Sequence, residues 1–184
     1  MRNALLGIIL CLFASAVNAD DNFEAVKAQL IADNPTVDLS RMSYENNILD
    51  LRFTSVSDIS TLSRLTGLEE LYLHDTPVSD VSALSGLTAL KRLYLRDTQI
   101  SDISVLSGLT ALEVLDLSDT PVSDVSVLRG LVALKHLDLQ GTLVSDISAL
   151  SGLTALEGLY LSATQVSDIS ALQHMIDNGL YIIQ

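Results

Sequence analysis

The chain has 184 residues, 48% of them apolar but only 4% aromatic, with 23 acidic against 10 basic side chains and a formal net charge of −13. That length suits one domain, and leucine has to supply its core. The acidity sets it against nucleic acid and anionic membrane surfaces as partners.

At the N-terminus Arg2 precedes an apolar run, Ala4 to Val17, that ends in Val17-Asn18-Ala19. A charged start, a short apolar core and a small-x-small site predict a secretory signal peptide over residues 1–19. The run is too short for a spanning helix and is followed by polar Asp20-Asp21-Asn22, so no membrane insertion is expected after cleavage. The expected location is secreted or periplasmic. The only cysteine, Cys11, lies inside this segment, so the exported part would fold without disulfides or thiolate metal sites.

Phe23, Val26 and Leu30 fall at helical spacing, acidic residues open the segment, and Pro35 follows it. This predicts a short amphipathic helix in an N-terminal cap over residues 20–45, covering the end of a stacked core. Val37 and Leu39 alternate against Asp38, predicting a first strand over Thr36–Ser40.

From residue 46 to 184 the chain repeats itself: Leu90–Ala111 is followed by near-copies at Leu112–Ala133 and Leu134–Ala155. Copies of a short unit cannot bury their own apolar faces and must stack to share a core. A leucine pair flanking one variable residue recurs every 22 positions, from Leu49/Leu51 through Leu159/Leu161, giving six full repeats and a terminal strand with Tyr181/Ile183 in the paired positions. Such alternation places both leucines on one side of a short strand. Each strand leads to a threonine, from Thr54 to Thr164, and then to Ser-Asp-[Val/Ile]-Ser-x-Leu, which predicts a short 3₁₀ or α turn on the back, capped by Asp.

Leu68, Leu71, Leu73 and Val78, and again Leu90, Leu93, Leu95 and Ile100, resemble the leucine-rich repeat pattern, and the 22-residue length with its Asp-[Ile/Val]-Ser-x-Leu back segment is most similar to the internalin-like subclass. The resemblance implies an α/β solenoid: a horseshoe with a parallel β-sheet on its concave face, short turns on its convex face and an N-terminal helical cap. It further implies a non-enzymatic bacterial exported module that binds a protein on the concave sheet. Two departures stand out. Threonine replaces the family's usual asparagine, so a hydroxyl ladder to neighbouring backbones is expected in place of an amide ladder. The given sequence also stops on a strand.

The candidate site follows from the columns that stacking creates. The outward central column reads Asp50, Tyr72, Tyr94, Asp116, Asp138, Tyr160, Ile182, flanked by one containing Glu70, Arg92 and His136 and another containing Arg52, His74 and Arg96. Tyrosine and arginine carry much of the binding energy at protein interfaces. The expected ligand-binding residues are therefore Tyr72, His74, Arg92, Tyr94, Arg96, Asp116, Asp138 and Tyr160, with a protein partner preferred over a glycan. The alternative is a structural unit that self-associates through the apolar strand in Gly179–Gln184.

Other chemistry fits the pattern less well. Asp116 and Asp138 would sit at a glycosidase-like separation, but an open sheet excludes little water. The column Asp58, Asp80, Asp102, Asp124, Asp146 and Asp168 reads as turn caps, since no glycine-rich loop offers Ca²⁺ its carbonyls. His74 and His136 lie three repeats apart, so no metal or other cofactor is expected. Glu69, Lys91, Glu113, Lys135 and Glu157 alternate in sign and read as a register ladder. The inward threonines do not form the flat outward array that ice binding would need.

Overall fold

The computed structural model describes residues 19–39 and 42–184. The proposed signal peptide, apart from Ala19, lies outside the described residues. Helix α1 (Ala19–Asp33) covers one end of the stack, burying Val26 and Leu30. Among the described residues no helix is long and apolar enough to cross a membrane.

Residues 36–39 form no strand, contrary to the expectation for Thr36–Ser40. The first strand is β1 (Ser43–Glu45), antiparallel to β2 (Ile48–Asp50) with Tyr44 opposite Leu49. The Asn46-Asn47 turn decides this. Both residues have positive φ, 53° and 64°, as a two-residue hairpin of the type I′ class requires, and asparagine tolerates that conformation.

From β2 onward the strands run parallel in sequence order: β3 (Glu70–Tyr72), β4 (Arg92–Tyr94), β5 (Val114–Asp116), β6 (His136–Asp138), β7 (Gly158–Tyr160) and β8 (Tyr181–Ile183). Through β7 the register is an unbroken 22-residue shift, so Leu49, Leu71, Leu93, Leu115, Leu137 and Leu159 form one buried row. Burying each leucine contributes about 1.5–3 kcal/mol before conformational entropy is counted.

The convex side is made of 3₁₀ segments: Ser60–Arg64, Ser82–Gly86, Ser104–Gly108, Ser126–Gly130, Ser148–Gly152 and Ser170–Leu172. Each begins at a serine whose N–H donates to the Asp two residues before, at 2.7–2.9 Å in all six repeats. The aspartate column thus satisfies donors that the short helices leave open.

The threonines behave differently from the expected ladder. Each hydroxyl, from Thr54 to Thr164, donates at 2.6–2.7 Å to the leucine carbonyl three residues earlier in its own repeat. A hydroxyl carried directly on Cβ reaches only its own turn, whereas a longer amide could span to a neighbour. The residue before each threonine has positive φ, and the column reads Phe53, Asp75, Asp97, Asp119, Gly141, Ala163.

Two features at the ends depart from the simple repeat. Near α1, buried Asn34 donates to the carbonyls of Leu30 and Asp58 and accepts the N–H groups of Ser57 and Asp58, which fastens the cap to the first repeat. At the other end, helix α2 (Gln173–Asp177) inserts one residue. Leu159 is therefore opposite Ile182 and Tyr160 opposite Ile183. The expected pairing of Tyr181/Ile183 with the leucines is corrected by one position, because a one-residue slip exchanges the two faces of a strand. Ile183, and not Ile182, joins the outward column.

Candidate functional site

Alternation buries the middle leucine of each parallel strand and turns the residues on either side of it toward the concave surface, where the strand repeat stacks them. The rings of Tyr72 and Tyr94 are 3° from parallel with centroids 4.6 Å apart. The Arg52 guanidinium lies 5.5 Å from the Tyr72 centroid and also pairs with Asp50 at 2.7 Å. The Tyr72 hydroxyl donates to Glu70 at 3.0 Å, and Arg92 forms an ion pair with that same carboxylate. Burial, reinforced by Glu70, pushes the Tyr72 phenol up to about 12, and burial also raises that of Tyr94.

His74 lies on the same strand edge and meets Tyr72 edge-on at 6.3 Å and Phe53 edge-on at 5.3 Å. Phe53 is 55% exposed and holds a left-handed backbone at φ 59°. Phe53, Tyr72, His74, Tyr94, Arg96 and Asp116 line a shallow concavity of about 460 Å³. Arg96 closes one side, held by Asp97 at 3.0 Å and Asp119 at 3.4 Å.

Beyond Tyr94 the column changes character. Asp116 accepts the N–H and hydroxyl of Ser118 at 2.9 and 2.6 Å, and Asp138 accepts the N–H of Gln140 at 2.9 Å. The two aspartates are strand partners in register. Burial, with a further contribution from Asp116, raises the Asp138 carboxyl from its ordinary value. Tyr160 follows on β7. Beside it, Gly158 leaves room for the His136 ring, whose Nδ1 would lie 3.1 Å from a Cβ there.

All eight expected residues therefore lie on one sheet face, but as two groups. Tyr72, His74 and Tyr94, with Arg92 joined through Glu70, form a connected aromatic and ionic network that Arg96 borders, while Asp116 and Asp138, bonded to neutral donors, and Tyr160 continue the row. Sequence reasoning passed over Phe53, Asp97 and Asp119. Their signal lay in the column before the threonines, where an aromatic residue replaces aspartate in the first repeat. The charge ladder forms as pairs, with Lys91 on Glu69 at 2.6 Å and Lys135 on Glu113 at 2.8 Å.

The family description "Leucine Rich repeats (2 copies)" matches residues 88–130 and 132–174, in phase with the stacked strands and turns. The chain is a leucine-rich repeat protein. Its repeats are internalin-like: internalin C2 of Listeria monocytogenes strain 4b F2365 is 33% identical with a TM-score of 0.67, over 73% of this chain and 59% of that one. Internalin InlF of the same strain is 25% identical with a TM-score of 0.63, over 89% of this chain and 54% of that one. The functional domain of InlJ from Listeria monocytogenes, which includes a cysteine ladder, shares the fold at 19% identity and a TM-score of 0.57, over 66% of this chain and 26% of that one. This leucine-rich repeat chain thus spans between half and two thirds of the two internalins first named. No curated protein sequence matches it.

Proposed function

We propose that the chain is a protein-binding module of an exported bacterial protein, and that it grips its partner on the concave sheet. Leucine-rich repeats are in general a non-enzymatic scaffold, and the internalin-like form suggests protein interaction. The observation that carries the concave reading is the Tyr72–Tyr94 stack with Arg92 and Arg96 beside it, on the one face where the repeats differ from each other. Rigid aromatic side chains already held by their neighbours lose little freedom on binding. Export rests on the N-terminal sequence alone.

The test is partner capture from the extracellular or periplasmic milieu with the protein and its Tyr94→Ala/Arg96→Ala variant. The variant is expected to lose capture. Because Tyr94 stacks on Tyr72, its Tm falls by about 2–4 °C for each kcal/mol of lost stacking, which leaves the fold intact. Capture that survives in the variant overturns the concave assignment.

A further inference from the structure

We infer that the partner presents a basic polypeptide segment, seating an arginine or lysine across Asp116 and Asp138 and an apolar side chain against Phe53 and His74. The inference rests on the concave-face reading and gives the partner a chemistry.

Charge pairing on the sheet face is uneven. Arg52 has Asp50, Arg92 has Glu70, and Arg96 has Asp97 and Asp119. Asp116 and Asp138 make no direct ion pair among the described residues; Arg96 acts on both only at longer range, and their hydrogen bonds come from the Ser118 and Gln140 N–H groups and the Ser118 hydroxyl. A neutral partner closing over these partly buried carboxylates would remove water without replacing it, which is costly. A guanidinium or ammonium group offsets that cost, and a planar guanidinium can fork across two acceptors. The whole chain, at −13, also draws a basic partner toward it and repels an acidic one.

Shape selects the same occupant. Tyr94 precedes Asp116 by one strand and Tyr160 follows Asp138 by one strand. Two short side chains between two long ones leave a slot two strands wide, floored by carboxylates. The apolar end is Phe53, an exposed aromatic at the left-handed position that every repeat shares and that carries Asp, Gly or Ala in the others. Three and a half strand intervals separate Phe53 from the centre of the slot, on the order of 17 Å at ~4.8 Å per strand. An extended segment spans that distance in about five residues.

The probe is the acetylated, amidated peptide Phe-Ser-Gly-Ser-Gly-Arg, titrated into isotope-labelled protein and followed by the backbone amides of Ser118 and Gln140, which report on the two carboxylates. Saturable shifts at these amides and around Phe53 and His74 are expected. Affinity should fall at least tenfold when glutamine replaces the peptide's arginine, and equally in Asp116→Asn/Asp138→Asn protein that retains its other resonances. Absence of saturable shifts up to about 5 mM peptide, or equal affinity for the arginine and glutamine peptides, overturns the inference. If partner capture is still lost in Tyr94→Ala/Arg96→Ala, only the basic chemistry falls. If capture survives there, the concave reading falls with it.

Discussion

Tyr72 and Tyr94 stack at 4.6 Å, close to the ~4.8 Å spacing of neighbouring strands, so the sheet itself sets their separation. Substituting both with alanine, singly and together, should give a coupling of about 0.5–1.5 kcal/mol in denaturant unfolding. Alkaline titration is a second measure. The folded-state pKa of Tyr72 is raised from 10.0 to about 12, so the folded state holds its proton where the unfolded chain has lost it. Stability should decline as pH rises from 10 to about 12, and Tyr72→Phe should make that decline shallower.

Asn34 offers a test of the cap. Asn34→Ala leaves the Ser57 and Asp58 N–H groups without their acceptor, at about 1–3 kcal/mol for each group that water does not reach. Hydrogen exchange is expected to quicken in α1 and β1 while β5 to β7 keep their protection, since repeat arrays lose structure from their ends.

Phe53 should respond in opposite directions in two assays. Phe53→Gly relieves a left-handed backbone worth about 1–2 kcal/mol, so the denaturation midpoint is expected to rise or hold. Affinity for the partner should fall, because the exposed ring is lost. A lower midpoint would mean that its contact with His74 outweighs the backbone cost.

Acid should separate the two kinds of aspartate. Asp58, Asp102, Asp124, Asp146 and Asp168 have carboxyls lowered from 3.8, chiefly by the serine N–H each accepts. Their stabilisation is present above pH 3.8 and is lost as pH falls through the folded-state values, so Tm should decline as pH falls below about 4. Asp138, raised by burial, acts with the opposite sign. Asp138→Asn is therefore expected to raise Tm at pH 7 while weakening capture of a basic partner.

The stack, its register through β7, the concave column and the Asp-capped turns were legible because each follows from a period of 22 and from alternation along a strand. The rest depended on reach and on single insertions. That threonine closes its own turn depends on side-chain length, which a column of identical letters does not convey. The Ile182/Ile183 exchange depends on one extra residue in α2, which periodicity hides when the last copy has drifted. The hairpin at Asn46-Asn47 carried a readable turn signal, but alternation at Val37 and Leu39 competed with it and lost. The division of the candidate site depended on which arginine meets which carboxylate, and that is set by packing.

The closure of each threonine onto its own leucine carbonyl bears on how arrays of this kind change length. A unit whose buried threonine hydrogen bond begins and ends within itself can be duplicated or deleted without orphaning that hydroxyl or one in its neighbour. A pair of units gained or lost between β3 and β5 keeps the alternating charges of Glu69, Lys91 and Glu113 in step, and each unit moves the slot at Asp116 and Asp138 by about 4.8 Å relative to Phe53. The distance between two contact points becomes a heritable variable that no point substitution need touch.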